Sequence, residues 1–120
     1  MKYIVMMFGE AAQMMETQTK DWIHEMIDFM GKVNEDLTRA GEMVDAQGLA
    51  DGSQATTVRF ENGAPVATEG PFAESKESMI GYWIIDVESQ ARAVEFASKI
   101  VAFTHGPIEV RQVMDGPPEV

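Results

Sequence analysis

Residues 79–87 read MIGYWIIDV, and apolar side chains occupy both sets of alternating positions in this stretch. A strand with one face in water alternates apolar and polar residues, so this pattern predicts a strand that is covered on both faces. Residues 3–8, which read YIVMMF, have the same property. The sequence therefore predicts two central strands, and the remaining elements have to cover them.

Two further stretches have the periodicity of amphipathic helices. In the first, Thr17 or Thr19 can cap the start and Gly41 supplies the stop. Its apolar stripe comprises Trp22, Ile23, Met26, Met30, Val33, Leu37 and Ala40. The second is capped by Ser89. Its apolar side comprises Ala93, Val94, Ala97, Ile100 and Val101, with Phe96 beside it. We thus expect two helices, each with one face to bury.

A turn signal lies in the middle of the chain. Residues 55–61 and 64–68 flank Asn62-Gly63. An Asn-Gly pair readily adopts the two positive φ values that a type I′ turn requires. These two segments are therefore predicted to form a β-hairpin.

The order of elements places the chain in the α+β class. Residues 43–49 and 108–113 are strand candidates, whereas residues 10–18 show no clear period and are predicted to form a connector. Without the inserted hairpin the order is β-α-β-β-α-β, the ferredoxin-like or split β-α-β arrangement, with both helices on one face of an antiparallel sheet. The whole chain, residues 1–120, then forms a single domain.

The two predicted helices cover only one face of this sheet, yet both central strands are apolar on two faces. A second copy of the same sheet is the simplest cover for the other face. We therefore expect a homodimer in which the two sheets pack against each other.

The composition excludes several classes of partner. The 120 residues include 20 acidic and 9 basic side chains, a net charge of −11, so we expect no nucleic-acid binding. The chain has no cysteine, which excludes thiolate metal sites and thiol nucleophiles, and its two histidines lie far apart. We expect neither a metal nor a cofactor. Without a signal peptide or an apolar run near the roughly 20 residues of a membrane span, the sequence predicts a cytoplasmic protein with no membrane contact.

The segment 68–77, which reads TEGPFAESKE, concentrates residues suited to a functional loop. Glu69 and Lys76 carry charges that could converge on one small molecule, and Phe72 is an unusual residue to leave in water. The alternative is a rigid connector in which Phe72 plugs the core and the charges are solvated. The sequence leaves both interpretations open.

Residues 69–77, EGPFAESKE, resemble the signature DGPFAETKE of the DGPF-domain branch of the YCII-related proteins. The likeness extends to the strand that reads ATTVR and to His105-Gly106 before the last strand. This resemblance implies a dimeric α/β-barrel of ferredoxin-like protomers, but it supplies no activity. Some members accompany sigma-factor genes, and a related YCII-type protein is a cofactor-free dehalogenase of a lactone. The histidine proposed as catalytic in the wider YCII group corresponds to a position near Met30 here.

Four residues are candidates for acid–base or substrate-binding roles. His105 is the favoured proton-transfer residue, and Glu69 is the second candidate. Arg111 and Glu109 share one face of the last strand, where the guanidinium could bind a substrate carboxylate while Glu109 holds it in place. The alternatives are a loop histidine bonded to backbone and an exposed or interface salt bridge.

Tyr82 and Phe72 are candidates for a pocket wall, and the ten methionines suit an adaptable apolar cavity as well as ordinary core filling. The leading hypothesis is a cofactor-free isomerase, lyase or dehalogenase acting on a small oxygenated acid or lactone. The alternatives are a non-catalytic small-ligand-binding or regulatory dimeric module and a purely structural dimer. A cavity that holds Glu69, His105 and Arg111 favours the enzyme, whereas one lined by Met, Ile and Phe favours binding.

Overall fold

The computed structural model describes residues 1–72 and 78–119 of the chain. Within these residues the elements are β1 (Lys2–Phe8), α1 (Ala11–Thr17), α2 (Lys20–Arg39), β2 (Met43–Gly48), β3 (Thr56–Glu61), β4 (Ala64–Glu69), β5 (Met79–Asp86), α3 (Gln90–Thr104) and β6 (Ile108–Gln112). A short 3-10 turn, Gly52–Gln54, precedes β3. No helix in this part of the chain has the length and apolar character needed to cross a membrane.

Four strands form one antiparallel sheet in the order β2-β5-β1-β6. The two strands predicted to be central, β1 and β5, are central. Since β1 and β2 both run antiparallel to β5, they are parallel to each other with β5 between them, as in the split β-α-β arrangement. The remaining two strands, β3 and β4, pair as a separate hairpin. The predicted α+β class and the inserted hairpin are therefore confirmed.

The register of β1 decides which side chains share a face of the sheet. Val5 lies opposite Trp83 on β5 and opposite Val110 on β6, so these three side chains point to the same side. We call this side the helix face, because its residues belong to one core with residues of α2 and α3. The opposite side, which we call the open face, carries the alternate residues, among them Ile4 and Ile84, which are paired.

The core lies between the helix face and the two long helices. Its largest fully buried side chains come from three sources: Val5 and Ile85 from the sheet, Leu37 from α2 and Ile100 from α3. Trp83 packs edge-on against Phe96 of α3, with ring centroids 5.4 Å apart and planes at 83°. The two central strands and the two predicted helices thus bury each other's apolar faces.

Local signals set the ends of the helices as predicted. Thr19 caps α2, since its Oγ1 accepts from the Trp22 N–H at 3.1 Å, and Ser89 caps α3 by accepting from the Arg92 N–H at 3.2 Å. At the hairpin tip, Asn62 has φ 51° and Gly63 has φ 82°, as a type I′ turn requires.

The sequence predicts a connector over residues 10–18, and this prediction is wrong for most of the segment. Residues Ala11–Thr17 form helix α1, and Glu10 at its N-cap provides no side-chain cap. The cap comes from another part of the chain, because Asp51 Oδ1 accepts from the Ala12 N–H at 3.2 Å. A helix of seven residues has only about two turns, too few to show a helical period of apolar residues in the sequence, and this one also depends on a distant contact.

Helix α3 is rotated relative to the predicted orientation. Val94, placed on the apolar side, is 45% exposed, whereas Phe96, placed beside that side, is buried. The edge-on contact of Phe96 with Trp83 accounts for the rotation, because burying an aromatic ring removes more apolar surface from water than burying a valine.

The β3–β4 hairpin projects from the body of the protein. The Cα radius of gyration is 16.5 Å, whereas about 14 Å is typical of 120 residues. The thinnest Cα extent, 18 Å, accommodates one helix layer on one sheet. The hairpin therefore lies beside the two layers, and the described residues form no third layer over the open face.

Replacing Leu37 by Ala tests the position of the core. Leu37 is 2% exposed, and we expect the substitution to lower the free energy of unfolding by about 2–5 kcal/mol because it leaves a cavity. Ile27→Ala in the same helix is the matched control, since Ile27 is 57% exposed. Urea unfolding followed by circular dichroism measures both. An equal decrease in the free energy of unfolding of the two variants would contradict this position of the core.

Candidate functional site

A cavity of about 350 Å³ lies between α1, α2 and the sheet. Its wall includes five of the ten methionines: Met7, Met14, Met15, Met26 and Met30. Strand β5 contributes Ile80, Tyr82 and Trp83. Asn34 of α2 and Gln47 of β2 also line it, and the register directs the side chains of Gln47 and Tyr82 to the open face. The cavity is thus bounded by thioether, aromatic and amide groups.

The methionines converge because three elements present them to the same space. Met26 and Met30 are one turn apart on α2, and Met7 lies on the helix face of β1 opposite Gly81. Helix α1 brings Met14 and Met15 to the same cavity. Unbranched thioether side chains fill irregular space and change shape at low cost, so this wall can adapt to an occupant.

Asn34 is fixed by a bond from the central strand. The Trp83 indole Nε1 donates to Asn34 Oδ1 at 2.8 Å. An indole N–H is only a donor, which identifies the bonded atom of the amide as the oxygen. Trp83 is itself buried against Phe96. The Asn34 side chain therefore has one defined orientation at the cavity wall.

On the open face, Asp45 bonds the side chains of Tyr82 and Gln47. Its Oδ2 accepts from the Tyr82 hydroxyl at 3.0 Å, and its Oδ1 accepts from Gln47 Nε2 at 3.1 Å. The hydrogen bond to Asp45 raises the pKa of Tyr82 above its ordinary value of 10.0, with desolvation and the nearby negative charge acting in the same direction. Tyr82 is therefore a neutral hydroxyl at physiological pH, and its proton is directed at Asp45.

The predicted loop residues lie away from this cavity. Glu69 ends β4 and is exposed. Phe72 is 82% exposed, and the guanidinium of Arg59 lies over its ring, 5.4 Å from the centroid. Phe72 therefore does not plug the core. Lys76 falls outside the described residues.

The predicted residues near the C-terminus occupy two different places. His105 is exposed and forms the C-cap of α3 in the left-handed region, at φ 60°, with its N–H donating to Val101 O at 2.8 Å. Glu109 and Arg111 lie on the open face of β6 opposite Met6 and Ile4. Their side chains form an ion pair with each other. They face away from the helix layer.

Of the seven predicted site residues, Tyr82 alone is among the described residues that line the cavity. The methionine content of the sequence was a usable signal for the rest of the wall. Asn34 also had a signal, because it continues the line of Met26 and Met30 at intervals of four residues. Sequence reasoning missed it because its partner, Trp83, is 49 residues away.

An antiparallel four-stranded sheet with long helices on one face and an adaptable apolar cavity defines a class of small α+β proteins. The family model of the YCII-related domain matches residues 1–116, and the chain belongs to this family. An uncharacterised protein of Rhizobium meliloti (strain 1021) is 29% identical to it over 101 residues, which cover 81% of this chain and 77% of that protein.

Replacing Asp45 by Asn tests the bond that holds Tyr82. Since the folded protein favours the neutral phenol, the contribution of this bond to stability is present below pH 10.0 and is lost as the pH rises through the raised pKa. We expect Asp45→Asn to lower the pKa of Tyr82 toward its ordinary value. Absorbance titration at the phenolate band measures it, with Tyr82→Phe identifying the transition. An unchanged pKa would contradict the assignment.

Proposed function

We propose that the protein is a non-catalytic module that binds a small, largely apolar molecule in the methionine-lined cavity. The observation that carries this proposal is the character of the wall. Among the described residues that line it, none is Asp, Glu, Lys, Arg or His. Thioether and indole groups retain an apolar molecule by excluding water and by dispersion.

The size of the cavity agrees with this function. A volume of about 350 Å³ lies at the lower end of the range of small-molecule sites, which is about 300–1,000 Å³. A molecule of one or two rings fits it. At about 0.5 kcal/mol for each non-hydrogen atom, a ligand of nine such atoms binds with a dissociation constant on the order of 0.5 mM.

Acid–base catalysis in this cavity would need a titratable side chain within hydrogen-bond reach of the ligand. His105 and Glu69 are the residues expected to transfer a proton, and both are exposed. His105 lies at the end of α3, and Glu69 lies at the end of the hairpin. Tyr82 is held neutral by Asp45. These placements support binding over an isomerase, lyase or dehalogenase reaction.

The proposed binding unit is a homodimer in which two open faces pack together. The open face is apolar along both central strands, with Ile4, Met6, Ile84 and Tyr82 in adjacent register. Its outer strand carries the mutually neutralising pair of Glu109 and Arg111. A second copy offers the same apolar surface and the same internally paired charges, as a two-fold interface requires.

The hairpin supplies the additional surface that such a dimer needs. Four strands about 4.8 Å apart and about seven residues long cover roughly 450 Å², whereas a stable interface buries about 800 Å² on each partner. One face of the hairpin carries Val58, Phe60, Pro65 and Ala67, all exposed. A hairpin alone is marginal in water, so in the proposed dimer this face lies on the partner.

Methyl NMR of methionine tests the binding proposal. We expect α-methylstyrene, a neutral hydrocarbon of nine carbons, to shift five of the ten methyl signals saturably, those of Met7, Met14, Met15, Met26 and Met30. The signals of Met1 and Met114, which are 55% and 70% exposed, serve as internal controls. Shifts that are absent, or equal at all ten methyls, would count against a cavity ligand.

Replacing Ile84 by Lys tests the dimer. We expect the native chain to have twice the 13.3 kDa mass of one copy by light scattering, and Ile84→Lys to have the mass of a monomer, because it places a charge in the apolar interface. Ile27→Lys on the exposed side of α2 is the matched control and should remain dimeric. Since each copy carries a charge of −11, salt should strengthen the dimer. A monomeric native chain refutes the proposal.

A further inference from the structure

The amide of Asn34 has donors that no described residue uses. Its Oδ1 accepts from Trp83 Nε1 at 2.8 Å, so the Nδ2 group lies on the other side of the amide. Within residues 1–72 and 78–119, no hydrogen bond from Nδ2 is formed. Because no buried side-chain nitrogen of the described residues lacks a partner, this unbonded Nδ2 group is accessible from the cavity, where a ligand acceptor can reach it.

The side chains of Tyr82 and Gln47 lie on the open face, because these two residues pair with each other next to Trp83 and Ala46, whose side chains point to the helices. The Tyr82 hydroxyl and Gln47 Nε2 both donate to the carboxylate of Asp45, at 3.0 and 3.1 Å. Trp83 Nε1 donates to Asn34 itself. Among the described residues that line the cavity, Asn34 is therefore the one whose side chain offers an unused donor on the helix side of the sheet.

The orientation of this donor is set before any ligand binds. Trp83 is 5% exposed and lies on central strand β5, packed edge-on against Phe96. An amide bonded to such a residue does not have to be ordered during binding, which preserves more of the hydrogen-bond energy as affinity.

Resting on the proposed function, we infer that the ligand is a neutral ring compound with one hydrogen-bond acceptor, such as a ketone oxygen, that binds Asn34 Nδ2. The methionines contact the ring, since thioether sulfur packs favourably against aromatic edges. A carboxylate is disfavoured because the described wall has no cation and the chain carries a charge of −11.

Three ligands of nine non-hydrogen atoms separate these features: acetophenone with a neutral acceptor, α-methylstyrene with none, and benzoate with a negative charge. The dissociation constant of each is measured at pH 7.5 by methionine methyl NMR on the native chain and on two variants. Asn34→Asp keeps an acceptor for Trp83 and removes the amide donors, whereas Asn34→Leu removes both. The Trp83 Nε1–H signal reports whether its bond is kept. Asn62→Asp at the hairpin turn is the matched control, because Asp also suits that position.

We expect both Asn34 variants to raise the dissociation constant of acetophenone by about two- to tenfold, while that of α-methylstyrene changes by less than about twofold. Benzoate should bind the native chain at least about tenfold more weakly than acetophenone. If the Asn34 variants bind acetophenone and α-methylstyrene more weakly by the same factor, the assignment of Asn34 is overturned and the apolar site is left intact. Benzoate binding as tightly as acetophenone overturns the neutral ligand. Failure of all three to shift the cavity methyls of the native chain overturns the proposed function itself.

Discussion

Both central strands carry apolar side chains on two faces, while α2 and α3 cover one face. This constraint decides the arrangement of the other elements. Val5, Trp83 and Val110 point toward the helices because their register places them on one side, and the same register places Ile4 and Ile84 on the other. A shift of one residue would exchange the two sets, so the helix face and the open face are defined together.

The cavity is a consequence of how the helix layer covers the sheet. Near β2 the space between α1, α2 and the sheet is filled by unbranched thioethers, which leave about 350 Å³ free. The amide of Asn34 at its wall is held by a bond across the fold from Trp83. The site thus combines an adaptable apolar wall with an amide of defined orientation, which suits selective binding of a small molecule.

Local signals predicted most of the fold. The Asn62-Gly63 turn, the Thr19 cap and the two-sided strands follow from backbone preferences and periodicity of neighbouring residues. Helix α1 and the rotation of α3 were missed because they depend on distant contacts, with Asp51 and Trp83 respectively. For the candidate site, the high methionine content of the sequence indicated an adaptable apolar wall. The role of Asn34 depends on the packing of Trp83, which no local pattern records.

In the proposed dimer a second copy covers the open face. Isotope-filtered NOE spectroscopy on a mixture of labelled and unlabelled chains detects only contacts between copies, and it therefore measures this packing. We expect intermolecular NOEs between the methyl groups of Ile84 or Met6 in one copy and open-face side chains in the other. Intermolecular NOEs confined to residues of α2 and α3, or none at concentrations where the chain is a dimer, would contradict it.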